Sequence, residues 1–572
     1  MRTRSNRLNN GYIGDYTAHD DVTGTVGLNK KYLVNEYSAE SLTWIRPTQW
    51  RSGPSVNIGD QKIVITNAVY NTDNNFTAFT MTGNFAVDWG DGTTGAFTSL
   101  NTASKNYDKT TYSGLTSDVF REYKTLNIVI TPQAGATFNG QLNFAIKHPQ
   151  SGLQSYYSNG YLEIIMSAPS ATSLIVSDTT FNNRSASRLL EHFRWIGQAN
   201  FSAGGMAAAF IGCNNLKIIS AFPSTSNCTD FASLFHSCHN LEWIPPSICE
   251  TQNATSLNFM FYLCTRIKKI PGTFNTSKAT SMAQMFQDCQ NLKRIPAINT
   301  SKVTSTNMAG LFAGCRALEK IPGEINAGSA TSLNSLFSGC DNLVYFPQII
   351  NTSNITNFGS MFTQTRAMQT VPYFDTTKGT DFSSMFNTSG IRDFDSGWGS
   401  TFNMPQATTT TSMFRFARTL ERVPETFVTG ATLTNCVDMF FECYALKQCP
   451  LITNISSCTS LSGLFYNCRA LKEIPGMTVS ASATNYGGVA TTTRMFYQNW
   501  NLSSCGMTGF TGAALSFESC SLGATALNDI YRSLRTVGAS GANAFAITVT
   551  GNWGNASDDT SIAIGKGWQV LG

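Results

Sequence analysis

The chain has 572 residues, of which 42% are apolar and only 13% charged, with a formal net charge of +4. That length exceeds one ordinary domain and the apolar share supports a substantial core. The weak charge gives no reason to expect a polyelectrolyte partner, so no nucleic acid is expected. No run approaches the roughly 18 apolar residues of a membrane-spanning helix, so no membrane insertion is expected. The opening MRTRSNRLNNGYIGDY is basic with no apolar segment behind it, which does not read as a secretory signal.

Residues 1–55 are polar and aperiodic, with isolated anchors at Tyr12, Ile13, Tyr32, Trp44, Ile45 and Trp50. Too little apolar surface is present to fold alone, so this stretch reads as an extended attachment arm that orders against a partner. From 56 to 165 the pattern changes to short β-type runs: Lys62 to Thr66, Phe76 to Met81, Phe85 to Trp89, Leu126 to Thr131 and Leu142 to Ile146. Turn-rich intervals separate them, which predicts an antiparallel sandwich. Within it, Val87-Asp88-Trp89-Gly90-Asp91-Gly92-Thr93 resembles the signature of PKD domains, an immunoglobulin-like module. Asp88 and Asp91 lack the further oxygen donors of a calcium loop, so they read as a tight turn in which Asp bonds its own backbone.

After a transition at 166–205, which should cap a repeat array, residues 206–510 carry the strongest signal. Twelve phenylalanines share one register: Phe210, Phe235, Phe261, Phe286, Phe312, Phe337, Phe362, Phe386, Phe414, Phe440, Phe465 and Phe496, most of them 25 or 26 residues apart. Such a period marks a solenoid in which each coil buries its apolar face on its neighbours. Counting from each Phe, Cys or a small residue stands at plus three, Leu at plus six, Ile or Val at plus nine and Pro at plus ten. This spacing predicts one short helical or 3₁₀ turn, then a brief extended segment closed by Pro. Twelve parallel coils would extend roughly 60 Å. The spacing stretches to 28 and 31 after Phe386 and Phe465. Those extra residues, such as Gly397-Trp398-Gly399 and Tyr486-Gly487-Gly488, are expected to bulge from one edge.

Leu527, Ile530, Tyr531 and Leu534 then lie on one helical face, followed by a β run from Phe545 to Thr550 and the ending Lys566-Gly567-Trp568-Gln569-Val570. Residues 511–572 read as an α/β cap. The expected architecture is therefore multidomain and β-rich: arm, immunoglobulin/PKD-like sandwich, right-handed leucine-rich-repeat solenoid of about twelve coils, and cap.

The run Met-Phe-x-x-Cys-x-x-Leu-x-x-Ile-Pro followed by Asn-Thr-Ser, as in Met285 to Ser301, resembles BspA-type leucine-rich repeats of bacterial surface proteins, mycoplasma lipoproteins and some phage structural proteins. The string Gly11-Tyr12-Ile13-Gly14, with Gly27-Leu28-Asn29, Tyr32 and Trp44-Ile45-Arg46-Pro47, is similar to N-terminal stretches of tailed-phage virion proteins, notably of marine cyanophages. Together the resemblances imply a non-enzymatic virion protein: a tail, neck or baseplate fibre, or a capsid decoration. Its partners would be other virion proteins through the arm and a host-surface glycan or protein, with self-association left open. A bacterial cell-surface adhesin and a carbohydrate-active enzyme are the alternatives.

Most tempting chemistry dissolves into the repeat. Of fifteen cysteines, eight (Cys213, Cys238, Cys264, Cys289, Cys315, Cys340, Cys443 and Cys468) occupy the plus-three slot, which elsewhere holds Thr365, Ser389, Ala417 or Asn499. They read as a reduced, buried ladder. His236, Cys238 and His239 form the one metal-like cluster, but Cys238 is a ladder residue. No P-loop or nucleophile-elbow motif occurs, and no cofactor is expected. What the register leaves free is plus seven and plus eight, where Lys268, Lys269, Lys293, Arg294, Lys320 and Tyr345 would align in a basic column. That column either keeps the strand face from self-pairing or docks an acidic partner.

Overall fold

The computed structural model describes residues 44–572 other than 73–74, 116–122, 149–158, 178–186, 273, 305, 481–482, 484–493, 512–514 and 538–544. Tyr12, Ile13, Tyr32 and Tyr486-Gly487-Gly488 lie outside the described residues.

Four of the five expected strands form over most of their length, and the fifth, Leu142 to Ile146, forms only at its start. The elements are β1 (Lys62–Tyr70), β2 (Asn75–Met81), β3 (Phe85–Asp88), β4 (Thr94–Phe97), β5 (Ala103–Tyr107), β6 (Tyr123–Pro132), β7 (Gln141–Asn143), β8 (Tyr161–Ser167), β9 (Ser173–Ile175), β10 (His192–Trp195) and β11 (Ile218–Ala221). They make a seven-stranded sheet in the order β11-β10-β8-β1-β6-β3-β4 and a four-stranded sheet in the order β5-β2-β7-β9. β1 pairs antiparallel with β6, Ile63 opposite Ile130 and Ile65 opposite Ile128. Ile63, Ile65, Phe79, Met81 and Leu142, drawn from both sheets, share one core. The larger sheet changes sense at β8: β10 pairs with it in parallel, and β11 follows in parallel. Ile218 of β11 then bridges to Trp243, so this sheet runs on into the coils. The expected boundary near 165–205 is thus crossed by continuous backbone pairing.

β1 is buried on both faces, which a half-solvated antiparallel strand would not be. Its second face is covered by the supposed arm. Trp50 is 2% exposed and packs with Ala68, Tyr123 and Leu162, and Trp44 packs against the same group. Arg51 N–H donates to Thr125 Oγ1 at 2.9 Å. Trp44 and Trp50 are therefore intramolecular anchors, correcting the expectation that they serve a partner: a sheet this apolar needs a cover, and the adjacent chain supplies it.

The coils follow the phenylalanine register. Successive rings from Phe210 to Phe496 stack nearly parallel, with centroids 5.5 Å apart between Phe235 and Phe261, 5.9 Å between Phe312 and Phe337, and 5.2 Å between Phe414 and Phe440. Phe517 continues the stack, 4.5 Å from Phe496, one ring beyond the expected register. The turn around each Phe differs from the short helix expected. The N–H groups of Gln284, Phe286 and Asp288 donate to Ala309, Leu311 and Ala313 of the next coil at 3.0, 3.0 and 2.7 Å. Those of Met285, Gln287 and Cys289 instead close turns within the coil, at 3.3, 3.1 and 3.1 Å. Alternate donors leave the coil, so a helix cannot propagate. The residues at minus two and plus two adopt left-handed backbone, as Gln284 (φ 53°) and Asp288 (φ 58°) do. Each such non-glycine residue costs on the order of 1 kcal/mol, which the inter-coil bonds and the ring stack must offset.

The plus-three cysteines have a more specific role than filling space. Sγ of Cys238, Cys264, Cys289, Cys315, Cys340, Cys443 and Cys468 each lies 3.0–3.1 Å from the carbonyl of the register Phe one coil earlier. Thr365 and Ser389 donate to their own coil's Phe carbonyl instead, at 2.8 Å each. All fifteen cysteines are free thiols. The linker threonines are structural too: Thr276 Oγ1 donates to Asn299 O at 2.9 Å and accepts from Asn299 N at 2.6 Å.

Within Gly397-Trp398-Gly399 the glycines are exposed, but the tryptophan ring turns inward rather than outward. Trp398 is buried, its ring 4.6 Å from Phe402 and its Nε1 donating to Val371 O at 3.2 Å. The extra residues tuck a large ring into the core, while Gly397 and Gly399 on either side stay exposed. The C-terminal helix spans Ala524–Ser533 and buries Leu527, Ile530 and Tyr531. A parallel sheet of Leu515–Ser516, Ala546–Thr548 and Gln569–Leu571 completes the chain.

Candidate functional site

The strand face of the coils brings the predicted surface residues into rows. Parallel bridges join Lys269 to Arg294, Arg294 to Lys320 and Lys320 to Tyr345. In the adjoining row, Lys293 N–H donates to Lys268 O at 3.0 Å and Glu319 N–H to Lys293 O at 3.3 Å. The structure thus brings together all six residues singled out at plus seven and plus eight. Lys268, Lys293, Arg294 and Lys320 are exposed, Lys269 is half-buried, and Tyr345 is 70% exposed. Among the described residues, five cations share these rows with the carboxylates of Glu319 and, one coil before Lys268, Glu242. Neighbouring coils hold these side chains near the strand spacing of about 4.8 Å, so their potentials add within one Debye length.

The other candidates resolve as structure. Asp88 Oδ1 accepts from Gly90 N–H at 2.9 Å, and Asp91 Oδ1 accepts from Thr93 N–H at 3.1 Å, with Lys105 Nζ 2.5 Å from the Asp91 carboxylate. Burial opposes the charge on Asp91, but hydrogen bonds from Lys105 and Thr93 outweigh it and hold the carboxyl below its usual range. His236 lies against Tyr262, 4.8 Å between ring centroids, and burial followed by the neighbouring His239 lowers its pKa. Among the described residues, no three His, Cys, Asp or Glu side chains form a group able to hold a metal ion. No helix among them is long and apolar enough to cross a membrane. Burial pushes the ladder thiols of Cys264, Cys289 and Cys315 well above the ordinary value and Cys228 up to about 12, which suppresses the nucleophilic thiolate.

Two features escaped the sequence. The first is a cluster on three adjacent strands, with Glu163 and His192 buried and Ser220 exposed. Glu163 Oε1 lies 2.9 Å from His192 Nδ1, and His192 Nε2 lies 2.7 Å from Ser220 Oγ. Ser220 is the extra residue of a β-bulge, between Ile219 and Ala221, which pair with Phe193 and Arg194. The connectivity is that of a nucleophile, base and orienting acid. The other carboxylate oxygen, however, accepts from Arg46 Nε at 2.8 Å and Thr66 Oγ1 at 3.1 Å. Trp44 also lies over the imidazole at 4.3 Å. The cluster therefore works as a clamp holding residues 44–51 to the sheet. Burial disfavours the Glu163 charge, but bonds from His192 and Arg46 outweigh it and keep the carboxyl below its usual range.

The second is a cleft of about 770 Å³ between the last coils and the C-terminal helix, lined by Glu425, Leu451, Glu473, Ile474, Ser504 and Asp529 among others. It places three carboxylates around one concavity.

A solved leucine-rich repeat protein from Eubacterium ventriosum ATCC 27560 is similar over 55% of this chain and 86% of its own, at 14% identity and a TM-score of 0.30. No curated protein matches the chain. The profile of a family described as "Mycoplasma protein of unknown function, DUF285" matches residues 204–323, 306–427, 331–453 and 396–505. Those overlapping matches follow the phenylalanine-stacked coils across more than half of the sequence, and the chain belongs to the DUF285 family.

Proposed function

We propose that this chain is a non-enzymatic structural protein of a tailed-phage particle, attached through its N-terminal arm and presenting its solenoid to a partner. In this reading the two-sheet region is a PKD-like spacer and the coils are BspA-type leucine-rich repeats. The observation that supports the binding role best is the bridged column Lys269, Arg294, Lys320 and Tyr345. A rigid row of cations ending in an exposed ring suits an anionic host-surface glycan or the acidic face of another virion protein. The virion role rests on the N-terminal resemblance. Mass spectrometry of purified particles tests it: the chain present in stoichiometric amounts supports the reading, and its absence contradicts it.

Two observations favour other readings. The family description names Mycoplasma proteins, which suits a cell-surface adhesin; surface-proteome recovery from cells rather than particles would select it. The carboxylate-lined cleft suits a carbohydrate-active enzyme, and release of reducing ends from a glycan, lost in Glu473→Gln, would select that.

A further inference from the structure

The slot four residues after each register Phe carries polar side chains or glycine through most of the solenoid: Asn214, His239, Thr265 and Gln290 in the early coils, Arg366 and Gly390 later. In the last four coils of the register it alternates Arg418, Tyr444, Arg469 and Trp500. The four form a continuous stack. The Arg418 guanidinium lies 5.1 Å from the Tyr444 ring centroid, and that of Arg469 lies 4.4 Å from Tyr444 and 4.5 Å from Trp500.

The two arginines differ in what they have left to offer. Arg418 Nη2 donates to Glu442 Oε2 at 2.6 Å, a carboxylate that also accepts from Tyr444 at 2.5 Å. Arg469 has no carboxylate within ion-pair distance among the described residues. Its Nε donates to Asn467 Oδ1 at 2.8 Å, and rings from the coils on either side cover its two faces. Among the described residues nothing accepts from its two terminal nitrogens, whose donors lie in the guanidinium plane. A guanidinium so held is a ready fork for a carboxylate. The flanking rings reduce the side-chain entropy that binding would otherwise cost, and their electropositive edges, rather than their negative faces, border the same strip. Trp500 is 50% exposed, and Arg469 and Tyr444 are half-buried, so the strip is open to a ligand.

The neighbouring charges select the ligand class. Glu442, paired with Arg418, accepts from Tyr444 of the strip, and Glu518, paired with Arg494, lies on the Phe517 coil, two coils beyond that of Arg469. A polymer with closely packed charges, such as a polyphosphate, would meet these acids as repulsion. A polysaccharide with spaced carboxylates would use them as acceptors for its hydroxyl groups. The coil rise of about 4.8 Å is close to the length of one pyranose in an extended chain, so successive sugars would meet successive coils.

We infer that the strip Arg418, Tyr444, Arg469 and Trp500 is a binding site for an acidic polysaccharide, with a uronate carboxylate on the Arg469 fork and sugar C–H groups against Trp500. The site is separate from the basic column, with the coils of Phe362 and Phe386 between them, and does not depend on the virion reading. Calorimetric titration of the full chain with sodium polygalacturonate, dextran and polyphosphate tests it. Polygalacturonate should bind and dextran should not. Arg469→Gln should weaken binding by about tenfold or more, Arg469→Lys should recover little because an ammonium has no fork, and Trp500→Ala should weaken it severalfold. No binding of polygalacturonate, unchanged binding by an Arg469→Gln variant with the parent's melting temperature, or equal affinity for polyphosphate would each overturn the proposal.

Discussion

The two-sheet region and the solenoid solve the burial problem in opposite ways. In the sheets, Ile63 meets Ile130 and Glu163 meets Arg46, partners far apart in sequence, and β1 is covered on both faces by different chain segments. In the coils each register Phe meets its counterpart one coil away, and the ladder cysteines from Cys238 on meet the carbonyl of the preceding coil's Phe. A sheet so enclosed has little surface to spare for recognition. A coil commits a few slots to stacking and leaves plus four, plus seven and plus eight to vary, and the basic column and the arginine–aromatic strip occupy those slots.

That contrast can be broken or sharpened by substitution. The largest effect belongs to the middle of the stack. Phe312 lies between Phe286 and Phe337, and Phe312→Ala should cost about 3–5 kcal/mol. Denaturant unfolding should show that loss, and a melt like the parent's would mean the register does not carry the core. Next comes the clamp. Glu163→Gln replaces a carboxylate that accepts from Arg46 and bonds His192, at roughly 1.5–3 kcal/mol, and should free residues 44–51 for limited proteolysis. Because the Glu163 carboxyl is held below its usual 4.5, its contribution is complete above that pH and is lost as the pH falls through the lower folded value. Acid melting curves of parent and Glu163→Gln should therefore converge at low pH; a difference that persisted there would contradict the clamp.

Smaller still is a single rung of the thiol ladder. Cys289→Ala removes one S–H donor and a small volume, on the order of 1 kcal/mol, whereas Cys289→Ser can keep the bond to Phe261 O. In the native chain these thiols should resist alkylation at neutral pH until unfolding exposes them. Fast labelling of Cys289 or Cys315 in the folded protein would remove the ladder from the account. The smallest stability change belongs to the column: reversing Lys268 and Lys293 should move stability by no more than about 0.5 kcal/mol.

The repeat was legible because one packing constraint recurs in every coil, so Phe, Leu and Cys return in register. The helical face of Leu527, Ile530 and Tyr531 was legible for the same periodic reason. The backbone of the turns was not, since Ser, Gln and Asp at the left-handed positions look like ordinary loop residues. Nor was the clamp, because Arg46 and Glu163 are 117 residues apart and only strand pairing joins them. Trp398 read as part of an outward bulge and Trp50 as an anchor for a partner because each sits among polar residues; their burial depends on neighbours supplied by other segments. The column was found from register alone. The strip needed the coils aligned at plus four, where arginine and aromatic residues look unrelated until they stack.

The most direct test of the division between stacking slots and recognition slots is one paired measurement on the full chain. Lys268→Glu, Lys269→Glu, Lys293→Glu and Arg294→Glu are combined in one variant, and its unfolding and its adsorption to host cells or particles are compared with the parent's. The expected result is an unfolding curve like the parent's and lost adsorption. Undiminished adsorption by the folded variant would contradict the role assigned to the column.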